Sequence, residues 1–202
     1  MNNQKPFLVG ITGGIGAGKT TVSKVFSVLQ VPVYYADDRA KWLMQHHPKL
    51  QKEIKSHFGE ASYFEDGSLN TKYLAQHVFG DEKRTSLINA LVHPMVGDDF
   101  NSWALEQHVP YVLKEAALLF ESGSYKKLDR TINVTAPKAI RINRILTRDP
   151  QRDEDQVRQI IQKQLPDKVK NGLADYIIKN YNHHMVIPQV LKIHKELTSL
   201  AR

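Results

Sequence analysis

The chain has 202 residues, enough to bury a full core as one α/β domain with an insertion or small mobile parts. Its 41% apolar and 24% charged content is ordinary for a globular protein, and no apolar run approaches membrane-spanning length. The absence of cysteine excludes disulfides and thiolate metal sites, and a net charge of +7 calls for anionic partners, either nucleic acid or a pair of phosphorylated small molecules.

The first twelve residues contain a short apolar run, but a glycine-rich stretch follows where a signal cleavage site would sit. A secretory signal is therefore not expected, and a reducing cytoplasmic setting is. Phe7, Leu8, Val9, Gly10, Ile11 and Thr12 predict a buried parallel strand. Gly13, Gly18, Lys19 and Thr20 then stand in register with the phosphate-loop pattern Gly-x-x-x-x-Gly-Lys-Ser/Thr. Val22, Val25, Phe26 and Leu29 fall at i, i+3, i+4 and i+7, the apolar face of a helix.

Strand, glycine loop and helix together make an anion cradle. Four glycines allow successive amides to turn inward, and the helix points its positive dipole end at the same place. Gly14, Ile15, Gly16, Ala17, Gly18, Lys19, Thr20 and Thr21 are the candidate polyphosphate-binding residues. Lys19 reaches the β- and γ-phosphates as a point charge, and the Thr20 hydroxyl is the candidate Mg²⁺ ligand. The bland alternative, a glycine turn that binds nothing, would need neither the strand nor the helix.

Residues 31–35 predict a second strand, followed by Asp37 and Asp38. Residues just past the carboxyl end of a parallel strand face the ligand crevice, so either aspartate is a candidate for chemistry. Equally, both suit the N-cap of a helix over about 39–45. Residues 48–108 are helical in period and contain no convincing parallel strand. Leu50, Ile54 and Phe58 form a stripe stopped at Gly59, Asp66 and Gly67 form a turn, and Asn70 caps a helix holding Leu74, Val78 and Phe79. Leu87, Ile88, Leu91 and Val92 form a further stripe that His93 and Pro94 are expected to end. The block reads as a helical insertion covering a second substrate. His93 is more naturally structural than catalytic, and the histidines show no metal spacing.

Residues 111–116 predict strand three. No apolar run there ends in the aspartate usual for a second magnesium ligand; Glu115 is the substitute, unless Thr20, water and phosphates suffice. Strand four is expected at 131–134, and Ala136 and Pro137 open the next helix. From Lys138 to Lys170 nine Lys/Arg stand against five Asp/Glu, so over half of the net charge is local. Arg144 and Arg148 share a helix face, Asp149 and Pro150 break that helix, and Asp153 starts another. Alone, such a hairpin is usually a solvated charged face; beside a phosphate loop it reads as a basic lid over a triphosphate. No aromatic residue is interleaved, which disfavours single-strand nucleic-acid stacking. Residues 174–180 predict strand five, and Ile187, Val190, Leu191, Ile193 and Leu197 a closing helix.

These pieces together resemble the dephospho-coenzyme A kinases. The resemblance is carried by residues 10–21, Ala36 with Asp37, His93 with Pro94, residues 118–121 (Leu118, Leu119, Phe120, Glu121), Arg144 with Arg148 and Asp149, Gln164, and Ala174 and Asp175 leading to Asn180. It implies a P-loop kinase fold, a five-stranded parallel sheet flanked by helices. The core would span about 1–47, 109–143 and 171–202, the acceptor-binding insertion about 48–108 and the lid about 144–170. It implies transfer from ATP, with Mg²⁺, to the ribose 3′-hydroxyl of dephospho-CoA, the last step of coenzyme A biosynthesis. Asp37 would then be the base, and Arg144, with Arg148, would contact ATP phosphates; Lys19, Asp37 and Arg144 form the catalytic set. Two departures stand out: Tyr35 replaces the first carboxylate of an Asp-Ala-Asp, which removes any paired-carboxylate role, and Ala117 replaces a proline. The expected partners are the two small-molecule substrates, without nucleic acid or membrane, in a monomer or weak homo-oligomer. The rivals are a nucleoside or nucleoside monophosphate kinase of the same fold, and a nucleotide-switched nucleic-acid-binding regulator.

Overall fold

A computed structural model describes residues 5–78 and 80–201; Phe79 lies outside the described residues. By its contacts the chain divides into two units, Met1–Tyr35 with Ala104–Arg202, and Ala36–Trp103.

The first unit is built on five strands: β1 (Phe7–Gly13), β2 (Val33–Tyr35), β3 (Tyr111–Glu115), β4 (Arg130–Thr135) and β5 (Tyr176–Lys179). Every pairing is parallel, in the order β2-β3-β1-β4-β5. Parallel strands need long crossovers, and helices supply them: α1 (Lys19–Val28) between β1 and β2, and α6 (Lys138–Arg148), α7 (Glu154–Gln162) and α8 (Asp167–Leu173) between β4 and β5. Helix α9 (Val186–Leu200) closes the chain. One core cluster joins Val9, Ile11, Leu113, Ile132, Val134 and Ile178 of the sheet to Phe26 of α1 and to Val190 and Leu197 of α9. This apolar layer is why β1 and the first half of β3 read as mostly hydrophobic runs, while β4 alternates apolar Ile132 and Val134 with polar Thr131 and Asn133.

The topology positions the glycine loop. From β1 the chain crosses through α1 to β2, on the β3 side, whereas β4 pairs with the opposite edge of β1. The loop after β1 therefore sits where the strand order reverses, the place where open α/β sheets bind ligands.

The second unit is helical: α2 (Ala36–His46), α3 (Pro48–Phe58), α4 (Thr71–Val78) and α5 (Glu82–Leu105), the last running two residues past the division. His47 caps α3, Gly59 ends it, and Asn70 Oδ1 accepts from Tyr73 N at 3.0 Å to cap α4. Tyr63 Oη donates to the Met44 carbonyl at 2.7 Å, and Arg39 forks onto Asp99 at 2.7 and 2.8 Å, tying α2 to α5. Residues 62–70 form a tight bend closed by a bridge between Tyr63 and Leu69.

Several boundaries differ from the expectations. Helix α2 begins at Ala36, so Asp37 and Asp38 lie inside its first turn, where their charge complements the dipole, and not before it as N-caps. Pro94 does not end its helix. Helix α5 continues to Leu105, because Val92, Val96 and Phe100 form a buried stripe across the proline that outweighs one lost hydrogen bond. Strand β5 starts at Tyr176 because the Asp175 carboxylate, not a backbone carbonyl, accepts the Thr131 N–H at 2.8 Å. Periodicity also missed α8, a seven-residue helix whose inward residue is a lysine.

That lysine anchors α8. Lys170 is fully buried, and its Nζ lies 2.9 Å from Glu121 Oε1, a charge contact rather than an aligned hydrogen bond. The same oxygen accepts the Leu165 N–H at 3.0 Å, and Asn133 of β4 donates to Asn171 at 2.7 Å. Removing one member of a buried pair strands the other, so Glu121→Ala should destabilise the fold by about 3–5 kcal/mol. Urea unfolding checks this; a loss below about 1 kcal/mol, the range of exposed pairs, would show that Lys170 finds other solvation.

Candidate active site

The site begins with backbone. Strand β1 ends at Gly13, and the chain makes a tight turn in which Ala17 N–H donates to the Gly14 carbonyl at 3.0 Å before α1 starts at Lys19. Gly16 and Gly18 have φ of +77° and +93°, which L side chains rarely adopt. A Cβ on Gly16 would also lie 2.6 Å from the Arg141 carbonyl oxygen, and one on Gly18 would collide with the Asn180 amide. No acidic residue occupies the first turn of α1, so its dipole is left for an external anion.

Three predicted side chains converge on this turn. Lys19 Nζ donates to the Gly13 carbonyl at 3.0 Å. The Thr20 hydroxyl donates to Glu115 Oε1 at 2.8 Å, from the neighbouring strand β3. Arg144 donates from one terminal nitrogen to the Asn180 carbonyl at 2.9 Å and from the other to the Gly16 carbonyl at 3.4 Å. Asn180 in turn donates to the Ala17 carbonyl at 2.9 Å. Loop, basic helix α6 and the end of β5 are thus joined through one asparagine.

Two predicted residues stand differently. Arg148 forks onto its neighbour Asp149 at 3.0 and 2.8 Å and is largely exposed. That hydrogen-bonded guanidinium holds the Asp149 carboxyl below the usual carboxylate range. Asp37 belongs to the helical unit, exposed in the first turn of α2, directly after β2 in the chain.

The structure adds residues to which sequence reasoning gave no site role. Arg141, one turn before Arg144, is almost wholly buried; it bonds Asp167 of α8 at 2.8 and 2.9 Å, with its guanidinium against Gly14. Its spacing from Arg144 was the available signal, but nothing in the sequence distinguishes a buried arginine from a solvated one. Gln164 Oε1 accepts the Ile15 N–H of the loop at 2.9 Å.

For a divalent cation the donor set is oxygen only. Glu115 is buried, and its Oε2 has no hydrogen-bond partner among the described residues. An orphaned buried carboxylate oxygen beside a threonine hydroxyl fits Mg²⁺ completed by phosphate and water oxygens. Among the described residues no group of three or more His, Asp or Glu could hold a metal by itself, and no helix is long and apolar enough to cross a membrane.

Gly16→Ala meets both strain and backbone contact, and neither yields to a rotamer change. It should weaken nucleotide binding about five- to thirtyfold, the equivalent of the roughly 1–2 kcal/mol cost of left-handed backbone, and lower the melting temperature. Titration calorimetry and a thermal melt check both; unchanged ATP affinity would show that the loop tip is not part of the binding surface.

With this geometry in place, comparison with known proteins is specific. The family model described as CoaE, dephospho-CoA kinase, matches residues 7–185. A dephospho-CoA kinase of Salinibacter ruber is 41% identical over 175 residues, 85% of this chain and 87% of that one. The crystal structure of TT1252 from Thermus thermophilus superposes with a TM-score of 0.84 at 29% identity, covering 96% of this chain and 98% of the other. A dephospho-CoA kinase from Campylobacter jejuni shares the fold, with a TM-score of 0.70 at 23% identity over 96% and 98% of the two chains. A phosphate loop at the reversal point of a parallel sheet and a family match over nearly the whole chain lead to one conclusion: this chain belongs to the dephospho-CoA kinase family.

Proposed function

We propose that this protein transfers the γ-phosphoryl group of ATP to the ribose 3′-hydroxyl of dephospho-CoA, giving CoA and ADP in the cytoplasm. The observation that carries this reading is the match over residues 7–185, whose span includes the phosphate loop, Glu121, Arg144 and Asn180. Family membership favours this acceptor over a nucleoside, and a phosphotransferase over a nucleotide-switched regulator.

The chemistry follows from the residues. Loop amides within residues 14–21 other than those of Ile15 and Ala17, which Gln164 and Gly14 already take, bind the β- and γ-phosphates together with the dipole of α1, and Lys19 adds a mobile positive charge. Thr20 and Glu115 would hold Mg²⁺, which when bound neutralises charge on the phosphate oxygens. Asp37 orients the acceptor hydroxyl and receives its proton as the new oxygen–phosphorus bond forms and the bond to the β–γ bridging oxygen breaks. Tyr35 in place of a second carboxylate leaves Asp37 to take this step alone. Arg144 stabilises the charge spreading over the transferring group. Its hydrogen bonds to the Gly16 and Asn180 carbonyls support that role, since they hold the guanidinium at the loop in advance. Arg148 joins it by leaving Asp149. Little covalent work remains for the protein, so positioning and electrostatics supply most of the rate.

The direct experiment measures ADP release with Mg-ATP and a panel of dephospho-CoA, adenosine, nucleoside monophosphates and shikimate. Dephospho-CoA alone should raise ADP well above the acceptor-free control, and no rise would overturn the assignment. Arg144→Ala should lower kcat by roughly 10³–10⁵ while changing ATP affinity only a few-fold. A variant with normal turnover would remove Arg144 from the mechanism.

A further inference from the structure

The phosphate loop has a contact that nothing in its motif requires. Ile15 lies inside the run of loop amides, and its N–H is taken by a side chain, Gln164 Oε1, at 2.9 Å. Gln164 is 149 residues away in sequence, on the segment that returns from the basic hairpin to the core.

That segment is held on three sides. Immediately after Gln164, the Leu165 N–H donates to Glu121 Oε1 at 3.0 Å. Lys170, fully buried, brings its charge to the same oxygen at 2.9 Å. Between them Asp167 accepts from Arg141, whose guanidinium rests against Gly14, the residue before Ile15. Glu121 is itself fixed, being mostly buried at the end of the turn that follows β3. Buried ion pairs contribute little net stability but define one arrangement, because every shifted arrangement leaves a charge unpaired.

We infer that Gln164 is a positioning residue of the phosphate loop: it fixes the Ile15 peptide so that the amides beyond it are already arranged for the triphosphate, and Glu121 with Lys170 holds it in place. It acts through the backbone and not on the substrate. A glycine loop is soft at the positions that let it turn, so ordering its tip costs binding energy unless the protein has already ordered it. A neutral acceptor suits the task, since a carboxylate in its place would repel the phosphates.

This inference rests on the loop's role as the ATP site, but one readout needs no nucleotide. Gln164→Met keeps the length and packing of the side chain and removes the acceptor. By amide hydrogen exchange on the nucleotide-free protein, Ile15 should lose protection in this variant while the amides of β1 keep theirs. ATP affinity by calorimetry should fall about fivefold, the loss of one hydrogen bond, with KM for dephospho-CoA unchanged. Gln164→Glu restores the acceptor and should return Ile15 protection, yet still bind ATP more weakly than the wild type. Unchanged Ile15 protection in Gln164→Met overturns the inference whatever the enzyme's substrate proves to be. A Gln164→Met variant that binds ATP as the wild type does overturns it also. Failure of the wild type to bind ATP would instead strike the proposed function and leave the exchange result to decide the role of Gln164.

Discussion

Between Gly13 and Lys19 the chain turns so tightly that Gly14, Gly16 and Gly18 have no room for a Cβ. Arg141 lies against one side of the turn and Asn180 against another, and the glycines meet them backbone first. The result is a cluster of inward amides at the start of a helix whose first turn contains no acidic residue. A glycine turn leading into an uncompensated helix dipole is the arrangement that favours an anion before any side chain is counted. The parallel sheet delivers the loop to the reversal of strand order, and the core under α1 and α9 holds it there.

Around that backbone nest the side chains divide by burial. Lys19, Thr20 and Arg144 retain some exposure and adjoin the loop. Arg141, Lys170 and Glu121 carry charge into the interior and neutralise one another or a neighbour. The basic excess that reads as a single feature of the sequence is therefore two features. Part of it stays at the surface, as Arg148, Arg152 and Arg158 do, and part ties α6 and α8 to the core.

The helical unit follows a different logic. Its helices α2, α3 and α4 are short, with His47 and Gly59 bounding α3 and Asn70 capping α4, and side-chain contacts such as Tyr63 to Met44 and Arg39 to Asp99 lace the unit. Its long helix α5 tolerates Pro94 because burial on both sides of the proline exceeds the cost of one missing amide. Helix propensity is a local preference, and tertiary burial overrode it here.

Local chemistry alone marked the glycine loop, the strand before it and the helix after it, because positive φ, apolar runs and 3.6-residue periods are properties of adjacent residues. It also marked Lys19 and Thr20, whose residue types suit phosphate chemistry at that spacing, and the basic helix that carries Arg144, while the choice of Arg144 itself came from the family resemblance. Which arginine is buried, which amide Gln164 holds and which carboxylate meets Lys170 were decided only by folding. These contacts join residues from 26 to 149 positions apart, and no period or motif records such pairings. The start of β5 belongs to the same class: the Asp175 carboxylate displaced a ladder hydrogen bond, a competition settled only once Thr131 was brought beside it.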